Sequence, residues 1–182
     1  MIELELEHRI DCSPEEYWRT TFDPAFCSAF FIGKLHYKHF AITLNSGELT
    51  HGVMLRNTEA EPSGRGVPAW AKRGLAYVQT GALTVAENRY AFRTFSRAYP
   101  KLVDISGEMQ LTIAPPPTWV DDGVASYRRT RICLGVRVFG AALVEPLMVQ
   151  TIRRSFDESA TFVNLYLRQR RESLARVRGT RA

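Results

Sequence analysis

Histidine is the side chain in this sequence best suited to acid–base or metal chemistry, and the chain has four. His8, His36, His39 and His51 include no pair at the helical H-x-x-x-H spacing that holds zinc. His36 and His39 are three residues apart on a predicted strand, so their side chains point to opposite faces. The sequence also lacks a G-x-S-x-G nucleophile turn, a glycine-rich phosphate loop after a strand and a paired Cys/His signature. We therefore predict no metal, no cofactor and no catalytic residue.

His51 is the histidine that its predicted strand would turn inward. There it could join Tyr77 or Gln79 in acid–base work on a bound polyketide-like substrate. A lone inward histidine is more often a hydrogen-bonded residue of a core or pocket. Enzymatic function is therefore the second hypothesis, behind binding alone.

Alternation along the predicted strands gives each of them one mostly apolar face, which we expect to turn inward. On one strand, for example, that face would carry Leu49, His51, Val53 and Leu55. In a dry core each unpaired polar group costs about 1–3 kcal/mol, whereas in a pocket water or a ligand can bond it. The pattern favours a ligand cavity, and satisfied residues at the edge of an ordinary core are the other interpretation. The polar residues that interrupt the inward faces are His51, Gln79, Thr94, Ser96 and Thr130.

The stretch VFGAALVEPLMVQTIRRSFDESATFVNLYL, residues 138–167, is typical of one long helix with an apolar stripe. Three small polar residues, Thr151, Ser155 and Ser159, lie inside or beside that stripe. A small side chain leaves room, and its hydroxyl can bond a ligand or a backbone carbonyl one turn back. We expect this helix to form one wall of the cavity.

The elements that must hold these residues are a strand, two short helices, six further strands and the long helix. Residues 2–10 alternate as a half-buried strand, and Ser13, Pro14, Asp23 and Pro24 supply the starts of two short helices. Consecutive antiparallel strands make a curved sheet whose apolar face needs cover, and only the long helix is large enough to give it. The predicted class is α+β, with a curved seven-stranded antiparallel sheet wrapped around a helix from Val144 to about Arg168. The six further strands are predicted at 34–44, 48–56, 75–85, 89–99, 103–113 and 123–138.

In this order of elements the sequence resembles the START-like superfamily, which has the helix-grip fold of the birch-pollen allergen and SRPBCC proteins. The resemblance covers roughly residues 1–168. The stretch DCSPEEYWRTTFDPAFCSAFF is similar to the helix pair after the first strand and, more faintly, to the VASt domain of sterol-transfer proteins. The stretch VRVFGAALVEPLMVQTIRRSFDESATFVNLYL resembles a bacterial branch of unknown function, in which a Gly and then a Glu begin the long helix. Gly140 and Glu145 occupy those places here.

The resemblance implies a cavity between the sheet and the long helix, open at one end near the hairpin tips. The same superfold hosts lipid carriers, hydrophobic-hormone receptors, cyclases and hydrolase activators, so it does not select one function. We predict non-catalytic binding or transport of a hydrophobic small molecule such as a lipid, sterol or polyketide. The alternative is a polyketide cyclase or aromatase-like enzyme that uses the same cavity. The predicted ligand-binding residues are His51, Tyr77, Gln79, Phe92, Thr94, Met109, Leu111, Thr130, Met148, Ile152, Ser155 and Ser159.

Two predicted connections at the rim of the cavity each carry a tryptophan, Trp70 and Trp119. We predict that the Trp70 loop is a lid, with Lys72 and Arg73 placed for transient contact with an anionic membrane surface. The alternative is that each indole ring packs back on the sheet as a plug.

Composition sets the remaining expectations. The chain has 182 residues, 45% of them hydrophobic and 24% charged, which is typical of one globular domain. Its three cysteines are scattered without C-x-x-C spacing, which favours reduced thiols and a cytoplasmic location. Residues 1–168 are predicted to form the ligand-binding domain, and residues 169–182 a basic tail or helix end. The arginines near the end lack interleaved aromatic residues for base stacking, so we expect no nucleic-acid partner.

Overall fold

The computed structural model describes residues 1–63, 75–115, 124–137 and 141–179. Strand β1 leads into two short helices and a π-helical segment, six more strands follow, and a long helix comes last. The helices are α1 (Pro14–Thr21), α2 (Pro24–Cys27) and α3 (Ala141–Gly179), with the π-helical segment at Ser28–Lys34. The strands are β1 (Ile2–Ile10), β2 (His39–Ser46), β3 (Val53–Glu61), β4 (Tyr77–Thr84), β5 (Arg89–Ser96), β6 (Val103–Ile113) and β7 (Ser126–Val136).

The seven strands form one antiparallel sheet in the order β1-β7-β6-β5-β4-β3-β2. Strands β2 to β7 pair with their neighbours in sequence, and β1 closes on β7. The short helices and α3 lie over one face of the sheet, because an apolar sheet face must be covered by another layer. The predicted α+β class and helix-grip arrangement are confirmed.

The two short helices begin at the residues that the sequence predicts. The Ser13 hydroxyl accepts a hydrogen bond from the backbone N–H of Glu16 at 3.2 Å, and Pro14 occupies the first turn. The Asp23 carboxylate accepts one from the N–H of Ala25 at 2.8 Å. Both caps satisfy amides that a helix start leaves without an intrahelical partner.

Aromatic rings link the short helices to the sheet and to α3. Trp18 of α1 lies edge-on to Phe22, and both rings contact Tyr90 of β5, with centroid distances of 6.1 and 5.7 Å. Phe26 of α2 meets Tyr166 of α3 edge-on at 5.1 Å. These rings form much of the core beneath α1 and α2.

The hairpin between β2 and β3 differs from the prediction. The turn occupies residues 47–52, with left-handed backbone at Gly47 and Gly52, so β3 begins five residues later than predicted. Its inward face therefore carries Met54, Arg56, Thr58 and Ala60, all buried. The predicted assignment of Val53 and Leu55 to that face is wrong, since they are 52% and 45% exposed.

Helix α3 is longer than predicted at both ends. It begins at Ala141 and continues to Gly179, although every residue from Arg168 to Arg176 is exposed. Arg, Gln, Glu, Leu and Ala all favour helix, so the basic segment continues the helix beyond the sheet. The division of the chain at residue 168 stays a prediction.

Candidate functional site

Strand registers bring inward side chains from five strands into straight rows across the sheet. One row runs through Thr58, Gln79, Thr94, Ile105 and Leu134, from β3 to β7. Its middle three members, Gln79, Thr94 and Ile105, are half-buried, whereas Thr58 and Leu134 are buried. We call these middle three the half-buried row. It lies near the end of the sheet where β4 begins and β5 ends.

The adjoining row is packed by aromatic rings. It consists of Arg56, Gly81, Phe92, Gly107 and Ile132. A Cβ atom on Gly107 would lie 2.6 Å from Cζ of Phe92, and one on Gly81 would overlap the hydroxyl of Tyr90. The two glycines therefore let the rings of Tyr90 and Phe92 lie close against the sheet.

Helix α3 changes its degree of burial along its length. In its first half, the side chains that pack towards the core, Val149, Ile152 and Phe156, are only partly buried. In its second half, Val163 and Leu167 are buried almost completely, and the partly buried Phe162 and Tyr166 pack against the ring of Phe26 in α2. The helix therefore contacts the sheet closely near its middle and less closely near its start.

A hydrogen-bonded pair of tyrosines adds polar groups beside the half-buried row. The Tyr77 hydroxyl is hydrogen-bonded to that of Tyr37, and the rings meet edge-on at 6.5 Å. Burial raises the pKa of Tyr77 well above its usual value, and burial also raises the pKa of Tyr37, with a smaller contribution from Glu158 of α3. In the half-buried row itself, the Gln79 amide donates to the Thr94 hydroxyl at 3.1 Å.

A groove of about 630 Å³ runs along the outer edge of the same region. It lies between Ile2, at the start of the edge strand β1, and the α3 face from Glu145 to Asp157. Val149 contributes both to the groove and to the partly buried face of the helix. The groove is apolar at Ile2 and Val149 and charged at Arg153 and Asp157.

The structure places most of the predicted sheet residues on one face but at different depths. Tyr77, Gln79, Thr94 and Met109 are half-buried. Phe92, Leu111 and Thr130 lie in the packed core, with exposed fractions of 8%, 2% and 0%. Only the first group is placed where an occupant could touch it without displacing the core.

The predicted helix residues Met148, Ile152, Ser155 and Ser159 are partly buried on α3. Ser159 is already bonded, because its Oγ accepts from the guanidinium of Arg128 at 3.1 Å. Thr151, by contrast, is exposed and donates to the backbone carbonyl of Leu147, one turn back.

The inward placement of His51 is wrong. It lies in the turn between β2 and β3, its side chain is 77% exposed, and its ring bonds the Thr50 hydroxyl at 3.0 Å. The register of β3 on β4 runs from Val53–Thr84 to Ala60–Tyr77, so His51 and Tyr77 are at opposite ends of that ladder. A joint acid–base role for His51 with Tyr77 or Gln79 is therefore excluded.

Arg128, on the inward face of β7, is fully buried and was not among the predicted site residues. Its Nη1 donates to the Tyr17 hydroxyl and to Ser159 Oγ, both at 3.1 Å. Its Nη2 donates to the Phe156 carbonyl at 2.8 Å and to Nδ1 of His8 at 3.2 Å. One guanidinium thus joins β7, β1, α1 and α3.

A second buried arginine was also missed. Arg56 of β3 is 8% exposed and donates to the Thr21 carbonyl and to Sγ of Cys27. Alternation could have found Arg128, which shares its parity with Thr130 and Ile132. It could not have found Arg56 once β3 was given the wrong face.

The predicted lid residues Trp70, Lys72 and Arg73, together with Trp119 and Gly140, lie outside the described residues, so the lid and its membrane contact stay predictions. Within the described ranges, no group of three or more His, Cys, Asp and Glu side chains could hold a metal ion. No helix there combines the length and apolar composition needed to cross a bilayer. The cytoplasmic location stays a prediction.

Comparison with solved structures supports the fold. The chain is similar to TTHA0849 from Thermus thermophilus, with a TM-score of 0.58 and 11% identity, over 90% of this chain and 94% of that one. It is also similar to norcoclaurine synthase from Thalictrum flavum, with a TM-score of 0.55 and 12% identity, over 91% and 86% of the two chains. A further structure of that synthase, in complex with dopamine and hydroxybenzaldehyde, gives a TM-score of 0.55 at 13% identity, over 92% and 87%.

These likenesses establish the helix-grip fold for this chain. No family model matches the sequence, and no curated protein matches it. Its closer placement, in the bacterial branch of unknown function or near the VASt domain, stays a prediction.

Proposed function

We propose that this chain reversibly binds a hydrophobic small molecule, without turnover, between the half-buried row of the sheet and the first half of α3. The observation that carries the proposal is the contrast in burial along α3. Val163 and Leu167 are buried, whereas Ile152 and Phe156 face inward and keep accessible surface. Apolar side chains that face a neighbouring layer without being covered by it are typical of a ligand site.

The lining combines apolar area with a few polar groups, as small-molecule sites do. Ile105 and Met109 supply apolar contact from the sheet. Gln79, Thr94 and the Tyr77–Tyr37 pair supply hydrogen-bonding groups at the same end. A lipid, sterol or polyketide with one or two polar groups suits such a lining.

The first experiment asks whether the protein carries a ligand. The chain is purified under mild conditions and examined by native mass spectrometry, followed by extraction and identification of small molecules. A panel of fluorescent fatty acids and sterols is then titrated into the delipidated protein. Co-purified ligand or saturable binding supports the proposal, and a chain that is empty and binds none of the panel contradicts it.

The second experiment asks where the ligand binds. Thr94→Phe fills space at the half-buried row, whereas Ser106→Phe adds the same ring on the exposed face of β6. We expect Thr94→Phe to weaken binding at least about tenfold, because the ring occupies volume that the ligand needs. Ser106→Phe should bind as the unmodified chain does. Equal affinities of the two variants would place the ligand elsewhere.

A further inference from the structure

Arg56 is a buried cation on the inward face of the sheet. Its exposed fraction is 8%, and it lies beside Gly81 in the row next to the half-buried row. Its guanidinium carbon is 4.8 Å from the centroid of the Phe22 ring. Burial of a charge is costly unless the charge is paired, so its partners decide what the residue can do.

The hydrogen bonds of Arg56 are incomplete. A guanidinium has five N–H donors, and the described residues accept only two from Arg56. These acceptors are the Thr21 carbonyl, 2.6 Å from Nη1, and the Cys27 sulfur, 2.8 Å from Nη2. The Nε atom is buried and has no acceptor, and none of the ion pairs among the described residues includes Arg56. The interior thus holds a guanidinium charge without a described carboxylate.

Arg128 provides an internal comparison. Its Nε, like that of Arg56, is buried without an acceptor, but its two Nη atoms make four hydrogen bonds. Its contact with His8 continues to the Asp157 carboxylate, 2.8 Å from the other ring nitrogen. Its charge is therefore coupled to an acid within the protein. Arg56 lacks such a connection among the described residues. Another buried donor without an acceptor, Nε1 of Trp18, belongs to a ring that contacts Phe22, the ring beneath Arg56.

The surroundings of Arg56 connect it to the proposed binding region. Thr58 follows it on the same face of β3 and pairs with Gln79, and Gln79 bonds Thr94 in the half-buried row. Polar side chains therefore lie side by side on the sheet from the half-buried row to Arg56.

We infer that the ligand is an apolar acid whose carboxylate is recognised by Arg56. This inference rests on the proposed function. Two carboxylate oxygens match the planar fork of a guanidinium, so they would accept the donors that the protein leaves open. A carboxylate also has a single charge, equal to that of Arg56, whereas a phosphate monoester would bring a second, unmatched charge into the interior.

The test compares dodecanoic acid with methyl dodecanoate, which has nearly the same shape but no charge. Binding of each is measured by displacement of a fluorescent probe at pH 7.5. We expect the protein to bind the acid about tenfold or more tightly than the ester. Arg56→Met should abolish this preference, because it weakens binding of the acid far more than binding of the ester. Arg97→Met, which removes an exposed arginine 64% accessible to solvent, should retain the preference.

The outcomes distinguish this inference from the function on which it depends. Equal binding of acid and ester by the unmodified chain would overturn the carboxylate inference and leave apolar binding in place. Binding of neither compound would overturn both. If circular dichroism shows that Arg56→Met does not fold, Arg56→Lys is used instead, because lysine keeps the positive charge but lacks the planar guanidinium. A reduced preference in that variant supports the inference, and an unchanged preference contradicts recognition by the guanidinium.

Discussion

Arg128 donates a hydrogen bond from Nη2 to Nδ1 of His8, 3.2 Å away, where β7 pairs with β1. A guanidinium can only donate, so Nδ1 of His8 must be the acceptor and must lack a proton. The other ring nitrogen, Nε2, is 2.8 Å from the Asp157 carboxylate and therefore carries the proton. Hydrogen bonds thus run from the buried guanidinium of Arg128 on β7, through the imidazole of His8 on β1, to the exposed carboxylate of Asp157 on α3.

Loss of the Arg128 guanidinium should destabilise the fold. Arg128→Met would leave the hydroxyls of Tyr17 and Ser159 and the Nδ1 of His8 without their donor. Each buried group without a partner costs about 1–3 kcal/mol, and removal of a buried charge offsets part of this. We expect the free energy of unfolding in urea to fall by about 2–4 kcal/mol.

The adjacent residue supplies the control for that measurement. Arg129 points outward and bonds Glu7 at 3.3 Å on the exposed face. Arg129→Met should change the free energy of unfolding by no more than about 0.5 kcal/mol. Equal losses in the two variants would contradict a special contribution from the buried guanidinium.

The tautomer of His8 is a separate prediction. Nitrogen-15 NMR at pH 8 should find the proton of His8 on Nε2 and a lone pair on Nδ1. Asp157→Asn keeps an oxygen acceptor and should preserve this tautomer, while Arg128→Met removes its cause at Nδ1. A proton on Nδ1 in the unmodified chain would show that the Arg128–His8 hydrogen bond does not form in solution.

The sequence predicted correctly those elements that are determined by neighbouring residues in the chain, such as capped helix starts and alternating strands. Ser13 and Asp23 cap their helices as expected, and alternation placed Gln79, Thr94 and Met109 on the inward face. These patterns are local, since a cap needs only its own turn and a strand face needs only parity. The predicted strand 103–113 coincides with β6.

Prediction failed where long-range partners decide the structure. The turn 47–52 reverses the face of β3, so His51 was placed inside and Arg56 was overlooked. An arginine is expected at the surface until its acceptors are known, and those of Arg56 come from α1 and α2, more than 25 residues earlier in the chain. The candidate site therefore depends on contacts that no local pattern specifies.

Gly107 should be intolerant of a side chain. A Cβ atom there would lie 2.6 Å from Cζ of Phe92 and 2.7 Å from the backbone oxygen of Arg131. Backbone cannot move aside cheaply, so Gly107→Ala should lower the free energy of unfolding by about 1–3 kcal/mol. Gly135→Ala is the control, because its nearest contact would be 3.7 Å, an ordinary distance. A Gly107→Ala variant as stable as Gly135→Ala would contradict the close packing of Phe92.

The three unpaired cysteines should differ in reactivity. Burial raises the pKa of Cys12 to about 12, so very little thiolate forms there at pH 8. Burial also raises the pKa of Cys27, although Arg56 opposes the shift. Cys133 is only partly buried. Iodoacetamide at pH 8 should therefore label Cys133 first, by peptide mass spectrometry, and all three thiols after denaturation. Labelling of Cys12 as fast as Cys133 would contradict its burial.

Alkaline pH should destabilise the protein in part through Tyr90. Burial raises the pKa of this hydroxyl from 10.0 to about 12, with a smaller opposing effect from Arg56. Between pH 10 and pH 12 the Tyr90 hydroxyl is therefore protonated in the folded state and ionised in the unfolded state. Its contribution to the free energy of unfolding is complete below pH 10 and is lost as the pH rises towards 12. One proton over two pH units corresponds to about 2–3 kcal/mol.

Between pH 8 and pH 11, Tyr90→Phe should lose less free energy of unfolding than the unmodified chain does. The control variant Tyr127→Phe, at an exposed tyrosine, should lose as much as the unmodified chain. Identical pH profiles for Tyr90→Phe and the unmodified chain would mean that the Tyr90 hydroxyl ionises as readily in the folded protein as in the unfolded one.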